Sequence, residues 1–93
     1  MIIGLCTLEF HLPGCRSLKE KRRFLSSFRG RVSQRFNVAV SEIDHHDLWQ
    51  RSSIGVVTVG IDRAPLDRVL QKVLREAERQ TDAQLIAVDI EFF

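Results

Sequence analysis

The chain has no tyrosine, one tryptophan, two prolines, two cysteines and one methionine in 93 residues. Cys6 and Cys15 lie nine positions apart with no C-x-x-C between them, which argues against a zinc ribbon, a thioredoxin-like redox pair and a disulfide scaffold. No stretch approaches the ~20 apolar residues that span a bilayer, so no membrane contact is expected. The N-terminal apolar run is too short for a secretory signal and no basic segment precedes it. A reduced, cytoplasmic protein is therefore expected. Linkers, low-complexity tracts and heptad runs are also missing, and the length suits one domain over residues 1–93.

What is present is hydrophobic patterning of two periods. Met1 to Phe10 alternates as a strand with two largely apolar faces, and "HLPG" stops it. Ser17 with Glu20 fits a capping box, the serine hydroxyl taking the amide three residues on and the glutamate returning to the serine's own amide. A helix is predicted from Leu18 to about Arg35. At about 100° per residue its Leu18, Phe24, Leu25, Phe28, Val32 and Phe36 share an arc about 120° wide. "VAVSEI" reads as a second strand and Ser53 to Ile61 as a third, with a polar connection from Asp44 to Arg51. Asp62 is the expected cap of a second helix carrying Leu66, Val69, Leu70, Val73, Leu74 and Ala77 on one stripe, with Pro65 in its first turn. Ile86, Val88, Ile90 and Phe92 mark a last strand.

The order β-α-β-β-α-β predicts an α+β, ferredoxin-like sandwich: a four-stranded antiparallel sheet with two helices on one face. The opposite face then meets water or a partner. In either register the first and third strands present aliphatic residues there, which predicts a homodimer or higher homo-oligomer through the open face. RNA-recognition motifs stack bases on aromatics of the two central strands. Here only Phe10 of seven aromatics falls on one, which argues against that mode.

Charge is strongly uneven. Arg16 to Arg35 holds eight of the fourteen Lys and Arg and one of the twelve acids, so that segment carries +7 and the remainder −5. Arg16, Lys19, Lys21, Arg22, Arg23 and Arg29 are the candidate nucleic-acid contacts, joined by Arg51. Lys21 alone falls inside the apolar arc, from which its stem could snorkel outward. The plain alternative is a solvated helix face. A more local reading places an anion on the amides of Gly14 to Ser17.

Other chemistry is weaker. Asp44, His45, His46 and Asp47 look like metal ligands, but adjacent side chains diverge, and no metal or cofactor is expected. Cys15, beside Arg16 at a helix N-terminus, sits where a thiolate is favoured, but no histidine can be assigned as its base. No catalytic residue is assigned. "HLPGCRSLKEKRR" does not match the glycine-rich phosphate loop of acylphosphatases, which share the expected fold. Trp49 either anchors the connection by burying itself with Leu48, the preferred reading, or contacts a partner together with Gln50.

"LPGCRSLKEKRR", "FNVAVSEI", "DLWQRSSIGVV" and "DRAPLDRVL" together resemble the YlxP-like family, a bacterial domain of unknown function, over nearly the whole chain. The most specific stretches map onto Arg16 to Arg23 and Asp47 to Arg51. The resemblance implies a ferredoxin-like fold, no established enzymatic activity, and genes placed among translation factors and a ribosome-binding factor. The expected function is a small non-enzymatic protein that contacts RNA or the ribosome through its basic first helix. The alternative is a homo-oligomeric protein-interaction module that binds no nucleic acid.

Overall fold

The computed structural model describes every residue from Met1 to Phe93. Its elements run β1 (Ile2–His11), α1 (Leu18–Arg35), β2 (Ala39–Asp44), β3 (Arg51–Gly60), α2 (Arg63–Glu78) and β4 (Gln84–Phe92). The strands form one sheet in the order β2-β3-β1-β4 with every neighbouring pair antiparallel. This is the ferredoxin-like α+β arrangement, its two longest strands at the centre.

Strand alternation decides what lies under the helices. On β1 the buried side chains are Cys6, Leu8 and Phe10, and across the register Cys6 meets Val56, Leu8 meets Ile54 and Phe10 meets Ser52. Phe28 and Val32 of α1 and Leu70, Val73 and Ala77 of α2 close on that face to complete one core. Phe10 packs edge-on against Phe24 and Phe28, at centroid separations of 5.4 and 5.6 Å, so three aromatics wedge α1 onto the sheet. Ile3, Leu5, Thr7, Glu9 and His11 point to the other, open face, together with Arg51, Ser53, Gly55, Val57 and Val59.

Both outer strands are bulged. Against β3, β2 steps from Glu42 to Asp44, leaving Ile43 extra; against β1, β4 steps from Leu85 to Ala87, leaving Ile86 extra. Ile43 lies over Gly55, where an added Cβ would come within 3.1 Å of its Cγ2.

The helix caps differ in detail from the sequence reading. Ser17 Oγ accepts from Glu20 N at 3.1 Å as expected, but Glu20 Oε2 accepts from Arg16 N at 2.7 Å and not from the serine amide. The extended backbone at Ser17 leaves the Arg16 amide facing the glutamate. Asp62 takes the N-cap position of α2 without any side-chain cap bond.

The largest departure is Lys21, which does not snorkel out. It is 1% exposed, and its Nζ meets His45 O at 2.7 Å, Glu42 Oε2 at 3.0 Å, and His46 O and Arg51 O at 3.3 Å each. An ammonium has three protons to give, and four acceptors from the end of β2, the β2–β3 connection and the first residue of β3 surround it. His45 holds φ 64°, a left-handed conformation unusual outside glycine, within the turn closed by Leu48 N donating to His45 O at 3.1 Å.

Removing one partner of a buried, hydrogen-bonded ion pair strands the other, at a cost of about 3–5 kcal/mol. Lys21→Met is expected to destabilise the fold by that amount in urea unfolding. A loss under about 1 kcal/mol would show that the clamp is not needed.

Candidate functional site

The cationic residues divide into two groups according to what surrounds them. Lys21 is committed to Glu42, as above. Arg35 Nη1 lies 3.0 Å from Glu76 Oε2, Arg31 Nε 3.9 Å from Glu76 Oε1, and Arg79 Nη1 3.7 Å from Glu76 Oε2. Glu76 sits in the apolar stripe of α2 beside Ala77, and it ties the two helices together at one end. Arg51 Nη2 lies 3.7 Å from Glu9 Oε2 on the open face of the sheet, the side away from α1.

Arg16, Lys19, Arg22, Arg23 and Arg29 are all exposed, and none is paired with a carboxylate. On helical spacing Lys19, Arg22, Arg23 and Arg29 span an arc of about 120° turned away from the core, and Arg16 to Arg29 extends over about 20 Å. Arg22 and Arg29 line a shallow groove of about 200 Å³ between α1 and β2. These five cations are the candidate nucleic-acid interface. Lys21 and Arg51 do not belong to it: one is buried and neutralised, and the other is on the opposite face.

A larger groove of about 760 Å³ opens between the first half of α1, the β1–α1 loop and the end of α2. Its basic residues Arg23, Arg31 and Arg79 face the acids Glu20, Glu76 and Asp82, so its charge is balanced and does not select an anion. Two of the four amides at Gly14 to Ser17, the expected local anion site, are already engaged within the protein. The Arg16 amide is occupied by Glu20 and the Cys15 amide donates to Leu12 O at 3.1 Å. The Cys15 thiol is pushed up by burial and by the Glu20 and Asp82 charges, against the opposing pull of Lys21, so the thiolate anticipated at the helix start is disfavoured.

The two histidines point apart. His46 Nδ1 lies 3.0 Å from Glu42 Oε1 on the helix side, and His45 Nε2 lies 3.8 Å from Glu9 Oε2 on the open side. His11 Nδ1 lies 3.2 Å from Gln84 Oε1. Gln50 is a brace and not a free contact, because its Nε2 donates to Pro13 O and Cys15 O, each at 3.3 Å. Trp49 and Leu48 do not bury each other as the anchoring reading required. They remain 51% and 48% exposed, and Gln50 and Lys21 do the anchoring instead.

Glu42 escaped the sequence reading, as did Glu76; the only hint for Glu42 was a lysine inside the apolar arc that needed a counter-charge. Burial pushes the Glu42 carboxyl up, but hydrogen bonds from Ser52 Oγ at 2.6 Å, from Lys21 and from His46, with the Lys21 charge, outweigh it and hold the group below its ordinary value.

The sequence model of a family described as "Protein of unknown function (DUF503)" matches residues 3–90. The chain belongs to that family. An uncharacterized protein of Bacillus subtilis (strain 168), YlxP, is 41% identical over 73 residues, covering 78% of this chain and 79% of that protein. The two stretches most specific for the resemblance, Arg16 to Arg23 and Asp47 to Arg51, meet in space: Lys21 holds Arg51 O, and Gln50 holds the loop that leads into Arg16.

A carboxyl more acidic in the folded than in the unfolded chain binds fewer protons when folded, so its stabilisation is complete above about pH 4.5 and is lost as pH falls through the depressed folded value. Urea midpoints are expected to drop on acidification below that point. Glu42→Gln should flatten this part of the acid limb, and an unchanged acid limb in that variant would assign the loss to other carboxylates.

Proposed function

We propose that this is a non-enzymatic cytoplasmic protein that binds RNA, in particular ribosomal RNA, through phosphate contacts from Arg16, Lys19, Arg22, Arg23 and Arg29. The observation that carries this reading is the sorting of charge on α1. Arg31 and Arg35 are held by Glu76, whereas the cations on the outer arc are left without carboxylate partners. Several cations on one rigid helix neutralise several phosphates with little base preference. The gene surroundings implied by the family resemblance favour the ribosome among RNA partners. The free thiols Cys6 and Cys15 suit a reducing compartment.

A second reading concerns assembly. One end of the open face groups Ile3, Leu5 and Val57 with the exposed Val59 and Phe93, Glu91 across from Leu5 being the acid among them, and Ile3 exchanges both backbone hydrogen bonds with Phe93. The other end carries Thr7, Glu9, Ser53 and Arg51. We infer that two copies pair through the apolar end, a two-fold contact that leaves both α1 helices outward.

Binding to structured RNA is expected to weaken steeply with salt. Lys19→Ala, Arg22→Ala and Arg23→Ala together should reduce the log–log salt slope by about 2. A flat salt dependence, or a triple variant that binds like the parent, would leave the interaction-module alternative. Sedimentation at micromolar concentration should show a dimer that Val59→Glu dissociates. A monomer across that range would remove the open-face contact.

A further inference from the structure

We propose that Trp49 is a stacking platform for an unpaired RNA base, placed next to the phosphate-binding end of α1, so that the protein prefers RNA with unpaired nucleotides over fully paired duplex. This inference rests on the phosphate reading above.

Exposure and rigidity at Trp49 occur together. The other large aromatics at this end of the molecule are committed to the core, Phe10, Phe24 and Phe28 packing on one another. Trp49, the chain's single tryptophan, stays 51% exposed with Leu48 beside it at 48%. Leaving that area in water forgoes stabilisation that burial would supply. Yet the backbone on both sides of Trp49 is pinned. Ahead of it, Leu48 N donates to His45 O, and Lys21 Nζ holds His45 O and His46 O. Behind it, Leu12 N donates to Gln50 O at 2.9 Å, Gln50 Nε2 holds Pro13 O and Cys15 O, and Lys21 Nζ holds Arg51 O. With the backbone already fixed, only the two side-chain torsions of the indole remain to be ordered on meeting a flat ligand.

Its surroundings select the ligand. The braces run from the residues next to Trp49 to the loop that leads into Arg16 and to Lys21 in the first turns of α1, which places the Trp49 backbone at the N-terminal end of the helix that carries the cations. Of the nearby acids, Glu20 is bound by the Arg16 amide, Glu42 by Lys21, Ser52 and His46, and Asp44 Oδ1 by the His45 amide at 2.7 Å. Asp47, and Asp82 on the far side of the β1–α1 loop, are the carboxylates there without such a partner. An exposed indole on the loop braced against the start of a cationic helix matches a base with its flanking phosphates, stacking and neutralisation acting together. A base inside a duplex offers no free face, which is why the ligand must be unpaired there.

The single tryptophan and the absence of tyrosine make intrinsic fluorescence a direct reporter. The full-length protein is titrated at low salt with single-stranded oligoadenylate and with an RNA duplex carrying the same number of phosphates. Oligoadenylate should quench the emission, and the duplex should bind with little quenching. Trp49→Leu should weaken oligoadenylate binding about tenfold, leave the salt slope unchanged and leave duplex binding unaffected. Trp49→Phe, which keeps a ring, should recover part of the loss, and a urea midpoint for each variant confirms folding. If binding is salt-dependent but unquenched, or Trp49→Leu binds oligoadenylate like the parent, stacking is wrong and the phosphate reading stands. If neither RNA binds with a salt dependence, both fall. If Trp49→Leu keeps RNA affinity but loses the dimer, the indole belongs to a protein contact instead.

Discussion

A buried ammonium organises this end of the molecule. Taking a lysine charge out of water costs several kcal/mol, and the structure offsets it at Lys21 with the Glu42 carboxylate and three backbone carbonyls. The carbonyls belong to the β2–β3 connection and the first residue of β3, so the same charge that α1 must neutralise fixes the path of a loop with few apolar contacts of its own. His45 keeps its left-handed backbone within that path. Ser52 and His46 complete the shell around Glu42, which couples the connection, α1 and the edge of the sheet into one polar unit.

From that constraint follows a division of labour among the basic residues. Cations on the flanks of α1 that face other elements are absorbed, Lys21 by Glu42 and Arg31 and Arg35 by Glu76. Those on the outer arc have no protein partner and set the field felt by an approaching polyanion. The formal +2 of the whole chain therefore understates the positive potential over α1, because most of the acids lie elsewhere. The open face of the sheet is sorted differently, with Ile3, Leu5, Val57 and Val59 towards one end, where Glu91 stands across from Leu5, and Thr7, Glu9, Ser53 and Arg51 towards the other.

Periodicity made most of the fold legible. The α1 limits, the apolar stripes of both helices and the antiparallel order all follow from spacing, and the family resemblance points the same way. Polar partners were less legible because they depend on contacts between distant segments. Lys21 stood out inside an apolar arc, but its acceptors lie 21 or more positions away, three of them backbone carbonyls that no side-chain pattern advertises. Glu76 looked like an ordinary helix-surface residue until α1 crossed it. Gln50 and Trp49 exchanged their expected roles for a steric reason: the amide reaches two carbonyls of the β1–α1 loop, and the indole beside it is left facing outward.

The bulges at Ile43 and Ile86 set what the two margins of the sheet offer to another strand. Each outer strand is kinked where an incoming strand would need a regular row of donors and acceptors, so lateral extension into a ribbon is discouraged at both margins. The same two irregularities that interrupt the ladder thus guard the sheet against edge-to-edge aggregation.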